Sequence, residues 1–187
     1  DVIDFIHILG SVLDLGVPSD STVSLAKLTA TGTKNSTTFL RGDNTFAAPS
    51  GGKILQVVTA SESASRSITS TSYVNSSNGL SVNITPSATS SKILITISLG
   101  YYTCPGGQNM SVTIFRDSTN LAGGNGGVGL AFNGGFGEAI PCNASVIDSP
   151  SSTSQLTYQV YAKVTGGTGE YGNTNTTATI TAFEIGA

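Results

Sequence analysis

The chain has 187 residues, of which 38% are hydrophobic and only 10% charged. An ordinary globular domain carries about 25% charged residues, so Ser, Thr, Asn and Gly must cover this surface. A net charge of −3 and a pI near 4.9 exclude the basic footprint that nucleic acid demands. No apolar run approaches the ~18 residues of a membrane span, which argues against membrane insertion.

Residues 1–52 form the first of two expected domains. They hold short apolar pieces separated by polar ones: "DFIHILG", "VLDLGV", "VSLAKL" and "TTFL". "SDSTVSLAKL" has a Ser or Asp cap and predicts a short helix. None of these pieces offers enough apolar area for an independent core. Ile3, Phe5, Ile6, Ile8, Leu9, Phe39, Leu40 and Phe46 therefore need the next domain, another protein or further copies of the chain. "FIHILG" is too short for a spanning helix and lacks the basic start of a signal peptide. A start at Asp1 instead of Met points to a fragment, a processed product or the ordered part of a longer chain. Arg41-Gly42-Asp43 reads as a turn, since Gly and Asp are favoured turn residues in any protein. "APSGG" at 48–52 reads as a hinge.

Residues 53–187 form the second domain and read as strands. "ILQVV" at 54–58 is a compact β-rich run. "LSVNI" at 80–84 alternates, with Leu80, Val82 and Ile84 on one face. "KILITISL" at 92–99 places Ile93, Ile95, Ile97 and Leu99 together, and "SVTIF" does the same with Val112 and Ile114. "LTYQVYAKV" sets Leu156, Tyr158, Val160, Ala162 and Val164 against Thr157, Gln159, Tyr161 and Lys163. "ATITAFEI" ends the series. A period of two with one apolar face means antiparallel strands half facing a core. The connections "TPSATSS", "RDSTN", "DSPSSTS" and "GGTGEYGNTN" are rich in turn formers. The fold class is all-β, an antiparallel β-sandwich or jelly roll. The Gly-rich stretch 123–137 reads as a long surface loop, of the kind that often binds.

Catalytic and metal chemistry find little support in these residues. His7 is the only histidine and lies in an apolar stretch, where it reads as a packed or interface residue. Glu138, Asp148 and Glu170 are scattered on expected loops, with no motif to bring two carboxylates together. "RDSTN" lacks the spaced ligands of a calcium loop and reads as a hairpin turn. Cys104 and Cys142 each neighbour a proline. One disulfide between them is possible, but their spacing does not establish it. With no CxxC pair, no metal site is expected, and no cofactor. The Asn-x-Ser/Thr sequons at Asn35, Asn75, Asn83, Asn109, Asn143 and Asn175 are what chance gives in so polar a chain.

Several pieces together resemble a known family. "GVPSDSTVSLAKL" followed by "STTFLRGDNTFAAPSGGKILQVV" resembles the shaft-to-head joint of bacteriophage tail-fibre and appendage proteins, especially marine ones. The likeness continues through "STSYVNSSNGLSVNITPSATSSKILITISL", "TIFRDSTNLAGG", "VIDSPSSTSQLTYQVYAKV" and "ATITAFEIGA", covering about residues 16–187. Asn44 stands where the family commonly has Gly, and Phe46 where Trp is common. The resemblance implies a virion fibre subunit: a homotrimer with an extended or partly helical N-terminal trimerising segment before a β-sandwich head. It implies docking to other virion proteins through the N-terminal segment and no enzymatic activity. Arg41-Gly42-Asp43 then belongs to a fibre turn, with Phe39, Leu40 and Phe46 packing around it and Arg41 and Asp43 reaching between chains. Receptor binding to a host glycan or protein is the expected role. Aromatic faces beside Asn, Gln and Thr suit saccharides, which singles out Phe132, Phe136 and Tyr171 on polar or Gly-rich loops, with Tyr101 and Tyr102 after a strong strand. The competing reading packs these rings into the sandwich or its trimer axis. A structural role in the virion without receptor binding, as a capsid decoration or connector, is the alternative.

Overall fold

A computed structural model describes residues 29–49, 52–75, 80–124, 127–132 and 141–186, with the main chain alone for 129–132. His7, the apolar residues Ile3, Phe5, Ile6, Ile8 and Leu9, the predicted helix start, Phe136 and Glu138 lie outside the described residues, as does the side chain of Phe132. The chain divides into two compact units, Asp1–Ser50 and Gly51–Ala187.

In the first unit, β1 (Phe39–Leu40) and β2 (Phe46–Ala47) form a small antiparallel hairpin. Arg41-Gly42-Asp43 is its turn. The Asn44 amide donates to the Arg41 carbonyl at 3.0 Å, and the Arg41 amide to the Thr45 carbonyl at 2.8 Å. Asn44 sits at φ 60°, a left-handed conformation that Asn tolerates. The Asp43 carboxylate accepts from the Thr45 hydroxyl at 2.6 Å and the Thr45 amide at 3.1 Å. Asp43 is thus occupied within its own turn. Phe39 and Leu40 do not close over it: they are 61% and 48% exposed.

The second unit is all-β, without a helix among the described residues. Its strands are β3 (Ile54–Glu62), β4 (Arg66–Ile68), β5 (Val74–Asn75), β6 (Ser81–Ile84), β7 (Lys92–Ser98), β8 (Tyr102–Thr103), β9 (Asn109–Arg116), β10 (Thr119–Asn120), β11 (Gly129–Phe132), β12 (Asn143–Asp148), β13 (Leu156–Val164), β14 (Gly169–Tyr171) and β15 (Ala178–Ile185). One sheet runs β12-β7-β15-β3. A second runs β10-β9-β13-β5, with β11 also on β9 and β6 also on β13. A short third sheet runs β4-β14-β8.

Four antiparallel pairs are nested within one another. β3 pairs with β15, β6 with β13, β7 with β12, and β9 with β11. These strands of the second unit therefore form one long hairpin, rolled up by the pairings of β7 on β15 and β9 on β13. The alternation in sequence decides which faces meet. Ile93, Ile95 and Ile97 of β7 and Ile180 and Ala182 of β15 share one core with Val112 and Ile114 of β9 and Tyr158, Val160 and Ala162 of β13. All are at most 3% exposed. Burial of each large side chain contributes about 1.5–3 kcal/mol, and this shared core holds the two sheets face to face as in a sandwich.

Some stretches outside the expected strands also form strands. Asn143–Asp148 forms an edge strand. Gly129–Phe132, within the Gly-rich stretch, pairs with β9. Gly169–Tyr171, within "GGTGEYGNTN", lies between β4 and β8. Glycine makes the last possible: a Cβ on Gly169 would sit 2.7 Å from Met110 Sδ and Val164 Cγ1.

Two buried carboxylates lock the frame. Asp148, at the end of β12, takes Arg116 Nη1 of β9 on both oxygens, at 2.8 and 2.7 Å, and the Tyr158 hydroxyl of β13 at 2.6 Å. It bridges one sheet to the other. Burial and the neighbouring Asp148 carboxylate push the Tyr158 phenol far up, so it stays a donor. Glu184, fully buried on β15, accepts on Oε1 from the Ser87 amide (2.7 Å), the Ser87 hydroxyl (2.6 Å) and the Ser91 hydroxyl (2.7 Å). Its Oε2 accepts from Gln56 Nε2 at 2.6 Å. Burial alone would raise its pKa, but the donors from Ser87, Gln56 and Ser91 outweigh that and hold it at about 2. The β6–β7 connection "TPSATSS" is thereby tied to the sheet.

Candidate functional site

With the inward faces closed, the outward ones are left to meet solvent or a partner. On the β10-β9-β13-β5 sheet the outward positions are Ser111, Thr113 and Phe115 of β9 and Gln159, Tyr161 and Lys163 of β13. The register places Phe115 opposite Gln159 and Thr113 opposite Tyr161. The Phe115 and Tyr161 rings stack, with centroids 4.1 Å apart and planes at 26°. Tyr73, just before β5, meets Phe115 edge-on at 6.5 Å. These rings lie over Ser111 and Thr113, which are 5% and 0% exposed. Stacking of this kind contributes about 0.5–1.5 kcal/mol beyond burial and fixes the rings as a rigid platform.

Beside the platform lies a cleft of about 570 Å³ lined by Thr71, Ser72, Tyr73, Asn120, Gly123, Gly124 and Lys163. Lys163 Nζ stands 4.6 Å from the Tyr73 ring centroid, a cation–π contact that holds the ammonium at the cleft. Asn120 Oδ1 accepts from the Thr113 hydroxyl at 2.6 Å and the Ala122 amide at 3.1 Å, which fixes that side chain at the other wall. Burial raises the Tyr73 phenol, opposed by its hydrogen bond with Ser111, so it is a neutral group. Gly127 adjoins this wall: a Cβ there would sit 2.8 Å from the Tyr73 hydroxyl and 2.0 Å from the Val112 carbonyl oxygen. The cleft thus combines an aromatic face, hydroxyls, an amide and one cation, on the scale of a small-ligand site.

The outer face of the β12-β7-β15-β3 sheet is built differently. Its register gives a row Ile147, Leu94, Phe183, Val57 across all its strands. Ile147 and Val57 at the ends are 61% and 53% exposed, and Ile54 and Leu55 nearby are 61% and 44% exposed. The next rows are Ser145, Thr96, Thr181, Thr59 and Asn143, Ser98, Thr179, Ser61. No charged side chain stands in these rows. A shallow hollow of about 380 Å³ over Thr96, Ser98, Asn143, Ser145 and Thr179 has only short side chains around it.

Of the aromatics singled out from the sequence, those with described side chains are Tyr101, Tyr102 and Tyr171. Tyr171 is fully buried in β14, and Tyr102 is 1% exposed in β8 with its hydroxyl donating to the Met110 carbonyl. Both are core residues, because the short third sheet turns their rings inward. They correct the expectation of a surface role. Tyr101 is half-buried in the bend between β7 and β8. The backbone of Phe132 is on β11, opposite Asn109 at the far end of β9 from Phe115. Of the scattered carboxylates, Asp148 ends a strand instead of lying on a loop, and Glu170 lies in β14 with Ser67 Oγ 3.2 Å away. Cys104 and Cys142 are buried free thiols, the latter pushed up in pKa by burial. Among the described residues, no cluster of three His, Cys, Asp or Glu side chains could hold a metal. No helix among them is long and apolar enough to cross a membrane.

No protein-family model matches this chain, and no curated protein does. Among solved structures, similarity is found to the infectious bursal disease virus Gx strain structure, with TM-score 0.40 and 14% identity over 75% of this chain and 34% of that one. The infectious bursal disease virus VP2 subviral particle gives TM-score 0.36 and 12% identity, over 75% of this chain and 41% of that one. The chain thus spans well under half of the chains it matches. At these TM-scores the likeness bears on neither the fold nor the role of this chain.

Proposed function

We propose that the chain is a subunit of a virion surface appendage of the phage-fibre kind, whose head attaches the particle to a glycan on the host surface. The nested hairpin of its strands is read as a jelly roll, an architecture used by capsid proteins and lectins alike. Fold alone does not assign a role. The observation that carries this reading is the cleft beside Tyr73, Phe115 and Tyr161. Saccharides present apolar C–H faces to rings and hydroxyls to amides and alcohols, and this cleft offers both. The protein acts by binding, without turnover. Its two buried carboxylates are saturated by donors and serve the frame. The N-terminal unit, with Phe39 and Leu40 exposed, is the segment that joins three copies and docks to other virion proteins. Three weak sites on one trimer give tight attachment by avidity, with an effective local concentration of about millimolar for short connections.

A non-receptor role, as a decoration or connecting protein, is favoured by one observation, the Ile147–Leu94–Phe183–Val57 row, exposed at both ends. An apolar, charge-free row suits a second copy of the chain or a neighbouring virion protein. The test is binding of the full chain to host-surface polysaccharide, with wild type compared to the Tyr73→Ala/Tyr161→Ala double variant. Retention that the double variant loses supports attachment. Equal retention, or none by wild type, leaves the connector role in its place.

A further inference from the structure

The charge pattern of the cleft narrows what it takes. Lys163 is the one charged residue among those lining it, and none of them is acidic. Its ammonium is held over the Tyr73 ring, which orients it without neutralising it. The other described residues lining the cleft are Thr71, Ser72, Tyr73, Asn120, Gly123 and Gly124. All are neutral. A cation fixed beside an aromatic platform, with hydroxyl and amide partners around it, has a complementary ligand: a sugar ring that carries one anionic substituent.

Resting on the glycan-attachment reading, we infer that the cleft selects acidic over neutral saccharides, with Lys163 pairing with the acid group while the ring and hydroxyls meet Tyr73, Asn120 and Thr71. Ammonium is a compact point charge and pairs with carboxylate or sulfate alike, without the forked geometry of guanidinium. The shared chemistry is therefore an anionic sugar, and either substituent could supply it. The whole chain has a net charge of −3, so its overall field works against an anion. Any preference for acid must arise locally.

The experiment titrates the full chain with three probes: an oligogalacturonide, a sulfated galactan oligosaccharide and the neutral galactan oligosaccharide of matched length. At low salt, at least one acidic probe is expected to bind about three- to tenfold tighter than the neutral one, the range of an ion pair at a half-open site. That preference should shrink towards unity at about 0.5 M salt, where screening acts within a few ångström. It should also vanish in Lys163→Gln and persist in Lys163→Arg, read as the ratio of acidic- to neutral-probe affinity within each variant. Which acidic probe wins identifies the substituent. Equal binding of acidic and neutral probes by wild type overturns the inference while leaving glycan attachment standing. So does a preference that survives in Lys163→Gln or is insensitive to salt. Binding of no probe, set beside loss of host-polysaccharide binding, removes the attachment reading itself.

Discussion

The two outer faces of the second unit differ in what they leave for a partner, although each covers the same core. On the β10-β9-β13-β5 face, rings are spent on one another: Phe115 stacks on Tyr161, Tyr73 abuts Phe115, and Lys163 is held over Tyr73. What remains is a preorganised cleft with fixed polar groups. On the β12-β7-β15-β3 face, an apolar row lies unclustered across the strands, between Ile147 and Val57, with Ser and Thr on one side and Lys92, Ile185 and Ile54 on the other. Such a face gains from being covered by something equally flat. The first geometry suits recognition of a small, partly polar ligand, and the second suits packing.

The contrast requires a frame that keeps both faces in register, and the largest effect is expected where the sheets are tied together. Asp148→Ala leaves the Arg116 guanidinium and the Tyr158 hydroxyl without their shared acceptor. Removal of one partner from a buried pair costs about 3–5 kcal/mol, so denaturant unfolding should show a loss on that order and the cleft should weaken with it. A loss below about 1 kcal/mol, the scale of an exposed ion pair, would mean that the sheets hold together without this bridge.

The Glu184 network gives the next effect, read by pH. Its carboxyl is held at about 2 in the folded protein, below the ordinary glutamate value near 4.5. A depressed folded pKa means that the unfolded chain takes up the proton first as pH falls. The stability from Glu184 is thus complete above about 4.5 and disappears as pH falls to about 2. Glu184→Gln should be less stable near neutrality and flatter across that window. Parallel acid profiles for wild type and variant would contradict the network.

Smaller effects separate the faces themselves. Ile147→Asp should change monomer stability by no more than about 0.5 kcal/mol, as at any exposed site, while weakening self-association measured by native mass. Tyr161→Ala should cost about 1 kcal/mol of stability through the lost stack and a larger share of saccharide binding. If Ile147→Asp weakened saccharide binding and Tyr161→Ala weakened association, the roles of the faces would be reversed.

The inward architecture was legible because alternation alone decides it. "KILITISL" and "LTYQVYAKV" each announce their buried side, and those residues are the core. The outward sites were less legible, because they depend on register. Phe115 and Tyr161 lie 46 positions apart in sequence and stack only because β9 pairs with β13. One signal was available: each is an aromatic at a polar-face position of an alternating strand. Tyr171 misled for the opposite reason. Its glycine-rich surroundings resemble a loop, yet Gly169 is there to let β14 approach Met110 and Val164. The row from Ile147 to Val57 likewise needs three strand pairings before it exists at all.

The most direct test is a side-chain footprint of the full chain, assembled in solution, with and without bound saccharide. Saccharide is expected to protect Tyr73, Tyr161 and Lys163 newly, whereas Val57, Leu94, Ile147 and Phe183 should react equally in both states. Protection by saccharide along the Ile147 row, with Tyr73 and Tyr161 unchanged, would contradict this expectation.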